Sequence, residues 1–550
     1  MNPQYQEMLL EDAKANIDVG VDGIVFDDPG TGSVVALIYD FGGSFDEYSM
    51  DGFRGFLKEK YSEQELKRRY GIEDIQSFHF GEYILQNNLQ DKWNLRNLAP
   101  QPLTYEFEIF LSLANREVLQ DIAEELKVYA AQQYNRDFYL SFNASPLFPG
   151  NFYAPGYDMV DFLYGEHFWF DQHHLKAAVA AKLAEGVAPG QFILLFEVKH
   201  DRGELPNPIG NLFKYAFADV YSTGNTSLQI AYPGAWTMRG WDYVEPLEYD
   251  DKVFEQYAGF LQNNPHLFGL EEPAKIAVVH SMISRRLSYM PIDPNLHHWG
   301  APQRQSDAII DMLLNLNVPF QMLVSGNDVT VNDVINEKDL SRYDMIILPN
   351  VLVMRDEEVD ALVKYAQGGG RVLQINGFAT LNPAGEKVNR SEIRGFAART
   401  GEHVLKDGLW LTEDWGFDFE IGYLYGDRNT LPTEQSKDYP TLLRLGEIVE
   451  KHVPSDIKIH APITVNVRRF VDGERIVLHF VNYDYDNTTD EFTPTEPVKV
   501  TINKRGLPIK SAKSYDLETG EIKEIELEDI GNNLQFVVPG IYAYTIVELQ

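Results

Sequence analysis

The feature that most constrains this chain is a series of short apolar runs that close on acids or amides. VDGIVFDD (21–28) ends in Asp27 and Asp28, and RDFYLSFN (136–143) ends in Asn143. MVDFLYGEHFW (159–169) carries Glu166 near its end, and QFILLFEVKH (191–200) carries Glu197 near its end. SLQIAYPGAW (227–236) is a fifth run. Runs that stay apolar instead of alternating belong to parallel strands covered on both faces. Helical stretches separate them. In FDEYSMDGFRGFLKEKY (45–61), Phe45, Met50, Phe53, Phe56, Leu57 and Tyr61 fall mostly on one helical face, and 103–134 is helical in composition. Strands alternating with helices predict parallel β/α units. In a barrel of such units the chemistry sits at the C-terminal strand ends. A complete barrel needs eight strands and five runs are visible. The expectation for residues 1–268 is therefore a partial, TIM-like β/α barrel, whose open edges another chain or domain has to cover.

The rest of the chain changes character twice. PAKIAVVHS (273–281), YDMIILPN (343–350) and RVLQING (371–377) read as strands, 306–324 reads as a helix followed by a strand, and 355–370 reads as a helix stopped by glycines. This pattern predicts a doubly wound α/β domain of flavodoxin-like or amidotransferase-like type over 269–400. Residues 401–459 read as a connecting segment. The runs IVLHFVNYDYD, VKVTINK, IKSAKSYDL, LQFVVPG and YAYTIVEL predict a C-terminal β-sandwich over 460–550.

Charge excludes several functions. The formal net charge is −36. A polyanion binder needs a basic face, so no nucleic-acid partner is expected, nor an anionic membrane surface. The absence of cysteine removes disulfides, thiolate metal sites and Cys nucleophiles. The adjacent pairs His173–His174 and His297–His298 do not share a strand or helix face, so no metal site is expected, and no cofactor motif is present. The first residues, MNPQYQEMLLEDAKAN, lack a basic and an apolar leader region. The expectation is a soluble protein, cytoplasmic or secreted with its leader absent from this sequence.

Carboxylates at strand ends suit glycosidic bond hydrolysis, which needs one group to protonate the leaving oxygen and a second to attack or to activate water. Glu197 follows FILLF, too apolar a setting for an unpaired acid unless the strand ends there. Asp27 and Asp28 follow GIVF and precede a Pro–Gly turn. Glu166 lies beside His167, Phe168 and Trp169, and aromatic surroundings raise a carboxyl pKa toward that of a proton donor. The catalytic candidates are thus Glu197, Asp28 and Glu166. Asp27, Asn143, His167, Trp169, His200, Tyr232 and Trp236 are candidates for holding the sugar. Ion pairs to Lys199 or Arg202 and ordinary core packing are the structural alternatives. A non-catalytic carbohydrate-binding protein on a degenerate barrel and a polysaccharide lyase using Lys199, His200 and Arg202 are the competing functions.

GVDGIVFDD followed by FDEYSMDGFRGFLKEKY resembles the middle of the family 42 β-galactosidases and their relatives. The α/β region at 272–400 resembles their amidotransferase-like trimerisation domain, and HFVNYDYD with YAYTIVEL resembles their C-terminal β-domain. The resemblance implies that GIVFDD is barrel strand four and FILLFEVKH strand seven, and that Glu197 matches the nucleophile; the α/β domain and the open barrel edges predict a homo-oligomer (dimer or trimer). The family has Asn–Glu on strand four where this chain has Asp27–Asp28. An alternative implied role set, that of some retaining α-glycosidases, has Asp28 attacking, Glu166 as acid/base and Glu197 binding substrate.

Overall fold

The computed structural model describes residues 3–26, 45–89, 102–143, 157–170, 176–187, 192–199, 210–229, 235–239, 242–247, 250–286, 301–327, 333–382, 386–390, 395–415, 439–486 and 489–550, with a few single positions between them. The first region runs α1 (Pro3–Asp18), β1 (Gly23–Phe26), α2 (Glu47–Lys60), α3 (Glu63–Tyr70), α4 (Phe80–Gln86), α5 (Thr104–Tyr134), β2 (Tyr139–Phe142), β3 (Leu163–Phe170), α6 (Ala177–Val187), β4 (Phe192–Lys199), α7 (Asn211–Tyr221), β5 (Thr226–Gln229), β6 (Ala235–Arg239), β7 (Asp242–Leu247) and α8 (Asp251–Asn263). Local chemistry sets the helix ends. Ser62 and Glu65 close a capping box on α3, and Gly71 ends it in the left-handed conformation at φ +72°.

The strands line up in chain order. β1 pairs parallel with β2, from Gly23↔Tyr139 to Phe26↔Phe142. A parallel bridge, Asn143↔Tyr164, carries the sheet on to β3. β3 and β4 pair over their full length, and Phe192–Leu195 of β4 pairs with β5. Five parallel strands, with helices described between β1 and β2, β3 and β4, and β4 and β5, form the expected partial barrel. Among the described residues no pairing joins β5 back to β1. The run at 227–236 is two strands rather than one: β6 pairs with the far end of β4 and folds back on β7 as an antiparallel hairpin.

The second region contains β8 (Ile276–Ser281), α9 (Met282–Arg286), α10 (Ala301–Asn315), β9 (Phe320–Ser325), α11 (Glu337–Leu340), β10 (Met345–Pro349), α12 (Asp356–Gln367), β11 (Arg371–Ile375), β12 (Gly401–Leu405), β13 (Gly408–Glu413) and α13 (Tyr439–His452). Its sheet has the order β12-β13-β11-β10-β8-β9, parallel except for β12. Without that edge strand this is the flavodoxin-type order. The sheet extends past residue 400: the stretch expected to be a connector supplies β12 and β13, because Leu409–Glu413 pairs in parallel with all of β11.

The C-terminal region is a sandwich. One sheet joins Ile457–His460, Val498–Asn503, Asn533–Val538 and Glu528–Ile530, and the other joins Val465–Asp472, Arg475–Asn482, Tyr544–Leu549, Ala512–Asp516 and Ile522–Glu524. Val467, Leu478, Val500, Phe536 and Val547 fill the space between the sheets. The outer face of the second sheet is also buried: Phe470, Val477, Val481 and Tyr544 join the core that contains the barrel helices. No helix among the described residues is long and apolar enough to cross a membrane.

The three regions meet around α6 and α7. The sequence of α6, AAVAAKLAEGV, is buried along nearly its whole length. Small side chains let neighbours approach closely, and a Cβ at Gly186 would lie 2.6 Å from Met322 Cβ on β9. Both helices take their N-terminal caps from distant residues. Asp219 accepts from the N–H groups of Ala177 (2.6 Å) and Ala178 (3.3 Å), and from Tyr483 Oη (2.8 Å). Asp490 accepts from the N–H groups of Leu212 (2.9 Å) and Asn211 (3.3 Å), while Gly210 at the cap position supplies no side chain. Buried Lys176 reaches Asp311 Oδ1 of α10 (3.3 Å) and donates to Asn466 Oδ1 (3.0 Å), with its ammonium 4.4 Å from the centre of the Tyr483 ring. Lys182 pairs with Glu272 (2.5 Å) and donates to the Phe320 carbonyl (3.2 Å). Burial raises the Asp219 pKa, against the opposing effect of its hydrogen bonds.

Two consequences can be measured. Replacing Asp490 by Ala removes a helix cap that crosses a domain boundary. Urea unfolding should show a loss of about 1–2 kcal/mol, with faster hydrogen exchange at the start of α7. The second concerns His479, whose Nε2 lies 2.9 Å from the Leu267 carbonyl and whose Nδ1 contacts Tyr544 Oη. Burial pushes its pKa down to about 3. The unfolded chain titrates near ~6.5, so below that pH the unfolded state binds the extra proton and stability falls as pH drops toward 3. His479→Gln should flatten this acid limb when unfolding free energies at pH 7 and 4.5 are compared.

Candidate active site

Register decides which strand positions face the barrel helices. Leu140, Phe142, Leu163, Phe192 and Leu194 belong to the core built with those helices, and Ile24, Phe26 and Leu228 pack against it. The alternate positions do not: Val25, Tyr139, Tyr164, Ile193 and Leu195 are absent from that core. Leu194 is 0% exposed, whereas Val25 is 36% and Tyr139 49% exposed. Side chains alternate along a strand, and directly paired residues of parallel strands share a face. The helix-facing set is therefore the outer wall, and the other set lines the inner face.

Asn143, Glu166 and Glu197 all occupy inner-face register positions. Asn143 bridges to Tyr164, Glu166 lies two residues beyond Tyr164 and pairs with Leu195, and Glu197 lies two residues beyond Leu195. Asn143 directly follows β2 and Glu197 lies two residues before the end of β4, whereas Glu166 is midway along β3. Two residues along a strand at ~3.3 Å each, and one strand across at ~4.8 Å, set the α-carbons of Glu166 and Glu197 ~8 Å apart. Val198 pairs with Thr237, so Trp236 on β6 has the register position beside Glu197. The Asn143 N–H donates to the Phe26 carbonyl (2.8 Å), so the chain leaves β1 next to Asn143.

His167 and Trp169 take the alternate register, that of Leu163. Phe168 pairs directly with Glu197 and shares its register face. Sequence reasoning passed over Phe168, although the period of two counted from Glu166 selects it. Asp27, Asp28, His200 and Tyr232 lie outside the described residues, as do His173, His174, His297 and His298.

Acids at the opposite, N-terminal strand ends have structural partners. Asp22 pairs with Arg136 (2.8 Å) ahead of β1 and β2. Asp161 pairs with Lys127 (2.8 Å) and accepts from the Leu140 N–H (2.8 Å) ahead of β3. Among the described residues no group of three or more His, Asp or Glu is placed to hold a metal ion.

No family model matches the sequence. An 83-residue stretch, 15% of this chain, is 31% identical to the α-agarase of Thalassotalea agarivorans, and the match spans 6% of that protein's length. Solved structures match far more of the chain. The β-galactosidase from Bacillus circulans sp. alkalophilus superposes with a TM-score of 0.62 at 13% identity, covering 100% of this chain and 82% of that one. The β-galactosidase from Rahnella sp. R3 also gives 0.62, at 12% identity, with 100% and 81% covered. The GH42 β-galactosidase Gan42B gives 0.59 at 11% identity, with 92% and 76% covered. At such identities the likeness speaks for the fold, and the fold is that of the family 42 β-galactosidases: a β/α barrel region followed by an α/β domain and a C-terminal β-domain.

Proposed function

We propose that this protein is a glycoside hydrolase that uses Glu197 as nucleophile and Glu166 as acid/base, with a galactoside as substrate. The observation that carries this reading is the shared register of the two glutamates on adjacent parallel strands, Glu166 opposite Leu195 and Glu197 two residues beyond Leu195. In the first step the Glu197 carboxylate attacks the anomeric carbon while the Glu166 carboxylic acid protonates the leaving oxygen. The product is a glycosyl-enzyme ester. In the second step Glu166, now ionised, takes a proton from water, which attacks the same carbon and releases Glu197 with net retention. Asn143 and Trp236 flank the pair in register and are assigned to holding the sugar, Asn143 by hydrogen bonding and Trp236 by stacking.

The galactoside preference rests on the activities named for the similar proteins, β-galactosidase and α-agarase. A second reading keeps Glu166 as acid/base, makes Asp28 the nucleophile and leaves Glu197 to bind substrate. It is favoured by the acidic pair Asp27–Asp28 that directly follows β1. The edges of β1 and β5 that have no partner strand among the described residues, together with the α/β domain, favour a homo-oligomer, dimer or trimer.

Digestion of nitrophenyl galactosides and agar oligosaccharides, with products followed by NMR, tests the proposal. Retained anomeric configuration is expected. Glu197→Gln should lower kcat by ~10³-fold or more with an unchanged unfolding midpoint. Full activity in that variant rejects Glu197 as the nucleophile. Absence of turnover by the parent chain on every glycan favours a binding protein instead.

A further inference from the structure

Away from the barrel, three cations converge on one carboxylate oxygen where the α/β domain meets the sandwich. Arg505 Nε donates to Asp456 Oδ2 at 2.8 Å, and a second nitrogen of Arg505 contacts the same oxygen. Lys275 Nζ lies 3.6 Å from that oxygen and Arg469 Nη1 lies 3.7 Å from it. Both are too far for hydrogen bonds. Lys275 immediately precedes β8 of the α/β domain, whereas Asp456, Arg469 and Arg505 belong to the sandwich and its turns.

The Arg469 side chain is 2% exposed. Its Nε and Nη2 meet no hydrogen-bond acceptor among the described residues. A buried guanidinium with unmet donors is costly, and such groups normally find a partner. Asp456 does not meet these donors: its Oδ2 lies 3.7 Å from Arg469 Nη1, and it accepts from Arg505 instead. Burial, with repulsion from Arg505, lowers the Arg469 pKa to about 10, in keeping with an excess of positive charge. Three cations against one carboxylate leave a local charge of +2, in a chain with 83 acidic and 47 basic residues.

We propose that Arg469, Arg505 and Lys275 form a binding site for a dianionic tetrahedral oxyanion of the sulfate–phosphate class, free or carried as an ester. The charge of such an ion matches the surplus. Its oxygens can accept from both guanidinium groups and from the ammonium, where a monatomic ion would leave the forked donors unmet. The site bridges two domains, so its occupant ties the sandwich to the α/β sheet. It does not depend on the chemistry assigned to the barrel.

Thermal unfolding of the full chain tests this, with sodium sulfate, sodium phosphate or galactose 6-sulfate titrated at constant ionic strength against sodium chloride. Binding to the native state raises the midpoint along a saturating curve, half-complete at or below ~1 mM. Nonspecific exclusion of sulfate gives a rise that does not saturate. Arg505→Gln and Lys275→Gln alter partly exposed side chains and should fold. Each should raise the half-saturating concentration roughly tenfold or more, as expected for the loss of a charge-assisted contact. Comparing inorganic sulfate with the sugar sulfate tells a free ion from an ester-borne one. A midpoint that follows chloride, or a saturation point unchanged in both variants, overturns the site. Arg469→Met gives a second check wherever it folds, since it should abolish the saturating response.

Discussion

The structure depends on two carboxylates that cap helices they do not belong to. Asp219 holds the start of α6, and Asp490 holds the start of α7. These helices follow β3 and β4, the strands that carry Glu166 and Glu197. A helix N-terminus has unpaired N–H groups and a partial positive charge, and a carboxylate satisfies both. Asp219 also accepts from Tyr483 of the sandwich, and Asp490 is itself part of the sandwich region. The C-terminal domain thus fixes the two β/α units that the proposed chemistry requires.

Lys176 adds the third domain to this arrangement. It joins the start of α6 to Asp311 on α10 and to Asn466 in the sandwich. A fully buried ammonium loses its hydration, and this loss lowers its pKa despite the nearby carboxylates. Such a pair contributes little net stability, but removal of one partner leaves an uncompensated buried charge. The alanines of α6 allow the domains to pack closely enough for these polar contacts to form. Packing and polar contacts together relate the site strands to the rest of the molecule.

Much of the architecture was legible because it rests on local patterns. GIVF, YLSF and FILLF are apolar enough to specify parallel strands, although none of the four residues of β1 is buried. Other features depend on distant partners. Val465–Asp472 contains Arg468 and Arg469 yet is a buried strand, because two domains close over its opposite faces. Gly401–Leu405 and Gly408–Glu413 join the α/β sheet through pairing with β11. Asp219 and Asp490 cap helices from 42 and 278 residues away, and no sequence window contains both partners. Within the site, composition drew attention to His167 and Trp169, whereas strand register selects Phe168 as the neighbour of Glu197.

The central claim is that Glu197 forms a covalent bond to the sugar. Incubation with an activated 2-deoxy-2-fluorogalactoside slows release of the glycosyl-enzyme, and mass spectrometry of proteolytic peptides locates the attached sugar. The account predicts a single label on Glu197, within FILLFEVKH. A label on Asp28 or Glu166, or turnover of galactosides without any covalent adduct, would contradict it.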